Sequence, residues 1–296
     1  MKYYKYDEEK DVIYFGMYPQ NQVKDENLSK ALNDELYRKC GKLEFNEFKG
    51  PFMDIEFGNT IKTKYRGTDC PGGYFSWFKF EPIEWKILYK DKEEALIITN
   101  SIIDSRSYAS YKRAELPVDY QGNFAKKKFA HSNYKYSFIR SWLNTDFYKY
   151  AFNLNEQKII KTSLIDNKSK YLLSVEKEVK DPDDLYSRTI EEQVEVLPEL
   201  LCENTKDKIF LLSYNEILSY LKNPVPDLEI YDRMAKSSSY AWILNIYDYK
   251  SSYWLRSPEK KDAALIVDNE GNIRSFDVRG NFFRGIGVRP ACVIKL

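Results

Sequence analysis

The chain has 296 residues, with 46 Lys and Arg against 45 Asp and Glu, for a net charge of +1. So even a balance argues against a dedicated nucleic-acid binder, which carries a basic excess, and 43% hydrophobic residues exclude a chain disordered by composition. Aromatic residues are the outlier at 16%, led by 25 Tyr and 17 Phe, which suits a strand- and loop-rich domain whose surfaces make contacts.

Residues 1–11 are charged and tyrosine-rich and read as an N-terminal arm or edge strand. They carry no apolar signal-peptide core. Val12 to Gly16 is a short strand, stopped at Tyr18-Pro19-Gln20. Apolar residues at Leu28, Ala31, Leu32 and Leu36 have helical spacing, and Asp25 or Asn27 offers a cap. Residues 41–73 are mixed, with turn signals at Gly50-Pro51 and Pro71-Gly72-Gly73.

Tyr74 to Tyr89 reads as two strands, with Ile83 to Leu88 alternating apolar and polar. Ala95 to Thr99 pairs back across the Asp91–Glu94 turn. Ser101 to Asn133 has weak periodicity and reads as a long irregular excursion. Helices are expected from Ser137 to Asn144 and from Asn155 to Thr162. Residues 171–201 form a charged, solvated insertion within one domain that spans 12–296. Lys208 to Leu212 is a buried strand, and Ser213 caps a helix over Tyr214 to Leu221. Strands follow at Tyr253 to Arg256, Ala263 to Val267, Ile273 to Val278 and Gly285 to Ile294, with the second and third joined as a hairpin through Asp268–Asn272.

The chemistry is thin. His131 is the one histidine, and Cys40, Cys70, Cys202 and Cys292 are far apart. No zinc-site spacing and no disulfide scaffold can be read from them. No apolar run approaches the length of a membrane span. The expectation is therefore a soluble, cytoplasmic chain with no metal or cofactor and no membrane or nucleic-acid partner.

Several segments, in order, carry a resemblance. They are Phe15 to Gln20, Pro82 to Leu88, Ile139 to Asn144, Asp207 to Ser213, Trp254-Leu255-Arg256-Ser257-Pro258 and Gly287-Val288-Arg289-Pro290-Ala291. Together they resemble an uncharacterised bacterial domain family whose members end in W-L-R-S-P and G-V-R-P-A. The C-terminal pattern is also similar to the C-type-lectin-like fold, in the version shared with formylglycine-generating enzymes. The resemblance implies an α+β domain with a C-type-lectin-like core of twisted antiparallel strands, flanking helices and long loops. The copper-binding cysteine pair of those enzymes and the calcium ligands of true C-type lectins have no match here.

Candidate site residues follow from residue type and place. Arg256 and Arg289 sit in apolar strands, where a charge needs a partner. They either bridge carbonyls and acids structurally or line an anion pocket. Arg279-Gly280-Asn281-Phe282-Phe283-Arg284 pairs aromatic and Arg side chains at a turn, the residue types of binding hot spots. The reading is a non-catalytic domain that recognises a protein, peptide or glycan. Its contact set is Trp254, Arg256, Arg279, Asn281, Phe282, Phe283 and Arg284. Trp85, Arg140, Trp142 and Arg289 are assigned to structure. A subunit of a larger assembly and an enzyme with dispersed Arg, Asp, Glu and Tyr are the alternatives. Asp268–Asn272 reads as a turn that could also offer oxygens to calcium. His131, Glu84 and Ser213 carry no recognisable catalytic motif.

Overall fold

The computed structural model describes residues 3–40, 54–57, 59–65, 74–109, 131–168, 202–222, 229–244, 251–260, 262–278 and 286–296. It is an α+β structure built on two main sheets. The larger has eight strands, in the order β1 (Lys5–Asp7), β2 (Val12–Gln22), β5 (Tyr74–Lys90), β6 (Glu94–Thr99), β15 (Ala291–Lys295) and β10 (Ile209–Phe210). The pair β3 (Asp54–Phe57) and β4 (Thr60–Tyr65) joins through β5. The smaller has five strands, in the order β13 (Ile273–Asp277), β12 (Ala263–Val267), β11 (Tyr253–Lys260), β14 (Ile286–Val288) and β7 (Asp104–Arg106). A separate pair, β8 (Ser163–Ile165) and β9 (Thr205–Asp207), brackets the charged insertion, whose residues 171–201 lie outside the described ones.

Period-2 alternation builds β5. Ile83 and Trp85 are fully buried on one face, and each such large side chain contributes roughly 1.5–3 kcal/mol on leaving water. The Trp85 indole N–H also donates to the Phe15 carbonyl at 2.8 Å. One core cluster then joins Phe78, Ile83 and Trp85 of the large sheet to Trp254, Ile266 and Val288 of the small one.

Three expected boundaries are corrected. β2 does not stop at Tyr18-Pro19 but runs on to Gln22, because register shifts on either side of Pro19 absorb the missing donor. The first shift is made by Gly16, at φ +72°. There an added Cβ would lie 2.7 Å from the Phe152 ring and 2.9 Å from the Ala151 carbonyl. Tyr74 to Lys90 is one strand and not two. Pro82 lies opposite the shifted part of β2, while β4 and β6 pair with its two halves. The closing strand is two strands, separated at Arg289-Pro290, with β14 in the small sheet and β15 in the large one.

That separation matches one in the first half of the chain. β6 ends at Thr99 in the large sheet, and β7 begins at Asp104 in the small sheet, within the stretch expected to be irregular. β6 pairs with β15 and β7 with β14, so the two segments form one antiparallel ribbon that crosses from sheet to sheet. At the crossing Thr99 N–H donates to the Pro290 carbonyl, at 2.9 Å, and Ile103 N–H to that of Val288, at 3.0 Å.

The helices begin where capping chemistry allows. Asp25 accepts from the N–H groups of Asn27 and Leu28 at the start of α1 (Glu26–Cys40). Ser137 caps α2 (Phe138–Trp142), which passes through a π-helical turn, Leu143–Phe147, into α3 (Tyr148–Ala151). Asn153 with Glu156 caps α4 (Leu154–Ile159), and Ser213 with Glu216 caps the Tyr214–Tyr220 helix. Both form capping boxes. No described helix is long and apolar enough to cross a membrane.

Cys202 and Cys292 are buried free thiols. Burial pushes the Cys202 thiol up to about 11 against the pull of nearby backbone N–H groups, and raises that of Cys292 further. Thiolate, the reactive form, is therefore scarce at neutral pH. In a chain carrying Cys40→Ser and Cys70→Ser, an aromatic disulfide reagent should find no fast-reacting thiol under native conditions and two after denaturation. Rapid native labelling of either cysteine is the contrary result.

Candidate recognition site

The five-stranded sheet ends the described chain on either side of the segment 279–285. Val278, just after β13, is buried at 3% exposure and donates its N–H to the Asp262 carbonyl at 2.9 Å. Ile286, the first residue of β14, is buried at 1% and pairs with Arg106. Arg279, Asn281, Phe282, Phe283 and Arg284 fall between these two anchors and lie outside the described residues.

Trp254 and Arg256 are core residues and do not offer their side chains to a ligand. The Trp254 indole N–H donates to the Arg106 carbonyl at 3.0 Å, and its ring meets Tyr108 and Phe276. The Arg256 guanidinium forks onto the Glu216 carboxylate at 2.5 and 2.8 Å and also reaches the Leu211 and Asp166 carbonyls. This use of Arg is structural: a planar fork bridging one acid and two loop carbonyls. Glu216 therefore both completes a helix cap and neutralises a buried cation.

Alternate residues of Arg140-Ser141-Trp142-Leu143-Asn144 do separate jobs. Arg140 is buried against Asp207, with Nε at 2.9 and 3.1 Å from its two oxygens. Asn144 accepts from the Lys208 N–H and donates to the Ile209 carbonyl, pinning the start of β10. Trp142 lies under the Arg106 guanidinium, 4.7 Å from its ring centroid.

Sequence reasoning missed a buried group next to Ile286: Tyr18, Asp104 and Arg106. Asp104 is fully buried. It accepts from the Tyr18 hydroxyl, from the Ser105 N–H at 2.6 Å and from Arg106 Nη2 at 2.9 Å. Burial, then the Asp104 charge, raises the Tyr18 pKa well above its ordinary value. Burial works against the Arg106 charge, but Asp104 outweighs it and the guanidinium's pKa rises. The available signal was the acid–base alternation in Asp104-Ser105-Arg106, the spacing of a short strand with both charges on one face.

The other named residues resolve simply. Asp268 Oδ1 accepts from the N–H groups of Glu270 and Asn272, both at 2.9 Å, and Oδ2 accepts from Arg274. Burial raises the Asp268 pKa, but these donors outweigh it and hold the carboxyl below its usual value. The loop is thus a hydrogen-bonded turn whose carboxylate is already engaged by donors. Glu84 accepts from the Tyr14 hydroxyl and the Asn100 side-chain amide. His131 lies 3.8 Å from Asp262. An open groove of about 420 Å³ lies beside β2, lined by Lys5, Tyr14, Phe15, Gly16, Met17, Pro82 and Glu156. The Glu156 oxygens there accept from the Gly16 and Asn153 N–H groups.

No curated protein and no solved structure matches the chain. One family profile does, over residues 92–296, a span that takes in β6, β7 and every later strand and so the whole of the five-stranded sheet. The chain belongs to that family, described as "Domain of unknown function (DUF6273)".

Proposed function

We propose that the chain is a recognition domain with a C-type-lectin-like arrangement, and that it binds a protein, peptide or glycan through its C-terminal loop face. The observation that carries this reading is the pair of buried anchors, Val278 and Ile286, on either side of Arg279-Gly280-Asn281-Phe282-Phe283-Arg284-Gly285. Two Phe and two Arg between fixed points of a rigid sheet suit hot-spot binding, since aromatic and Arg anchors carry most interface energy. Trp254 and Arg256 serve this reading as packed core residues of β11, in the same sheet as the two anchors. The mostly antiparallel sheets, with β11 and β14 as a parallel pair, and the flanking helices are compatible with a lectin-like arrangement at the level of architecture.

The test uses glycan and peptide arrays probed with the full chain and with a variant carrying Arg279→Ala, Phe282→Ala, Phe283→Ala and Arg284→Ala. Specific binders should weaken by roughly thirtyfold or more, the equivalent of one hot spot, while the melting temperature stays put. Binding that is indifferent to all four changes, or no specific binder on either array, would sink the proposal.

A further inference from the structure

Among the described residues, three arginines withdrawn from water meet a carboxylate. Arg140 meets Asp207, Arg256 meets Glu216, and the partly buried Arg106 meets Asp104. Each guanidinium therefore has a carboxylate, as a charge withdrawn from water requires. Arg289 is equally buried, at 3% exposure, yet no carboxylate among the described residues pairs with it. Its hydrogen bonds are Nε to the Thr99 carbonyl at 2.9 Å and Nη1 to the Tyr253 hydroxyl at 3.2 Å. Its flat face lies 5.2 Å from the Tyr253 ring centroid. A guanidinium has five N–H donors, so these two contacts leave most of its fork unused.

A second arginine contacts the same phenol through its backbone. The Tyr253 hydroxyl donates to the Arg233 carbonyl at 2.7 Å. Arg233 Nε is itself buried with no hydrogen-bond partner, as is the hydroxyl of Thr99 beside Arg289. Burial raises the Tyr253 pKa, and the charges that pull against it are those of Arg289 and Arg233. The Arg289 guanidinium and the Arg233 backbone thus meet at one buried hydroxyl, at the place where the ribbon crosses between sheets. A planar fork with spare N–H groups matches a planar or tetrahedral oxyanion.

We propose that the spare N–H groups of Arg289, with Arg233 beside them, form an oxyanion site that takes the carboxylate or phosphate group of a small ligand, Tyr253 holding the two arginines in place. The site is separate from the proposed loop-face contacts and does not depend on them.

The full chain, titrated with sodium phosphate and separately with sodium acetate, should melt higher than in sodium chloride of equal ionic strength. The rise should saturate, and calorimetry should give a binding heat. Arg233→Gln keeps the carbonyl that Tyr253 uses and removes one cation, so it should fold normally and bind about tenfold to a hundredfold more weakly. Arg289→Gln should abolish the effect; if it does not fold, Arg233→Gln carries the test. A response to phosphate alone assigns a phosphate group, and a response to acetate assigns a carboxylate. A melting rise that chloride reproduces, or one that Arg233→Gln leaves intact, overturns the proposal.

Discussion

Replacing Gly287 by alanine is expected to destabilise the protein by about 3 kcal/mol, the upper part of the range for overpacking a closed core. Gly287 is the middle residue of β14, flanked by Ser105 on β7 and Tyr253 on β11. A Cβ at this position would lie 2.5 Å from Ile102 Cγ2 and 2.6 Å from the Ser252 carbonyl oxygen. The Ile102 methyl could rotate away, but the Ser252 carbonyl cannot, because it accepts the Gly287 N–H at 3.0 Å. Relief therefore requires two adjacent strands to part, with loss of ladder hydrogen bonds. A glycine inside a strand commonly marks such a close backbone approach. Urea denaturation measures the effect directly: the midpoint should fall sharply with little change in slope. A loss below about 1 kcal/mol would mean that the strands yield more easily than this packing implies.

Converting Asp207 to asparagine should cost about 3–5 kcal/mol, the usual penalty for leaving one member of a buried ion pair without the other. The substitution keeps the shape and removes the charge. Arg140 and Asp207 are exposed by only 2% and 0%. Asp207 also accepts from the Thr205 hydroxyl at 2.8 Å, and Arg140 donates to the Lys135 carbonyl at 2.8 Å. The pair thus ties β9 to α2 and closes the base of the β8–β9 ribbon. Removing both charges with Arg140→Met and Asp207→Leu should recover most of the loss, since an apolar pair of similar volume often serves a core as well. Denaturation curves for the two variants decide the matter. Equal instability in both would show that the hydrogen bonds to Thr205 and Lys135 matter more than the charge.

Much of the local structure was legible because short-range rules set it. The spacing of Leu28, Ala31, Leu32 and Leu36 with Asp25 before it, the Ser213 cap and the hairpin through Asp268–Asn272 depend only on neighbouring residues. What escaped depends on residues far apart in the chain. Pro19 looks like a strand stop, but β5 and the shifts around Gly16 carry β2 past it. Arg289-Pro290 looks like the middle of one strand, because nothing local says that its two sides belong to different sheets. At the site, the hydrophobic surroundings of Arg256 and Arg289 announced buried charges. Their partners, Glu216 for one and the Thr99 carbonyl and Tyr253 hydroxyl for the other, come from distant segments. Asp104 and Arg106 were overlooked because three residues are too few to display a period.

The ribbon that crosses between the sheets also bears on synthesis. Its second arm, β14 and β15, fills interior positions in both sheets: β15 lies between β6 and β10, and β14 between β11 and β7. Neither sheet can be completed until residues near 295 have been made and have cleared the ribosome. Until then β6, β7, β10 and β11 each present an unpaired backbone edge, the kind of surface that invites wrong partners. Both sheets are therefore completed by one and the same ribbon arm, made after every other strand of either.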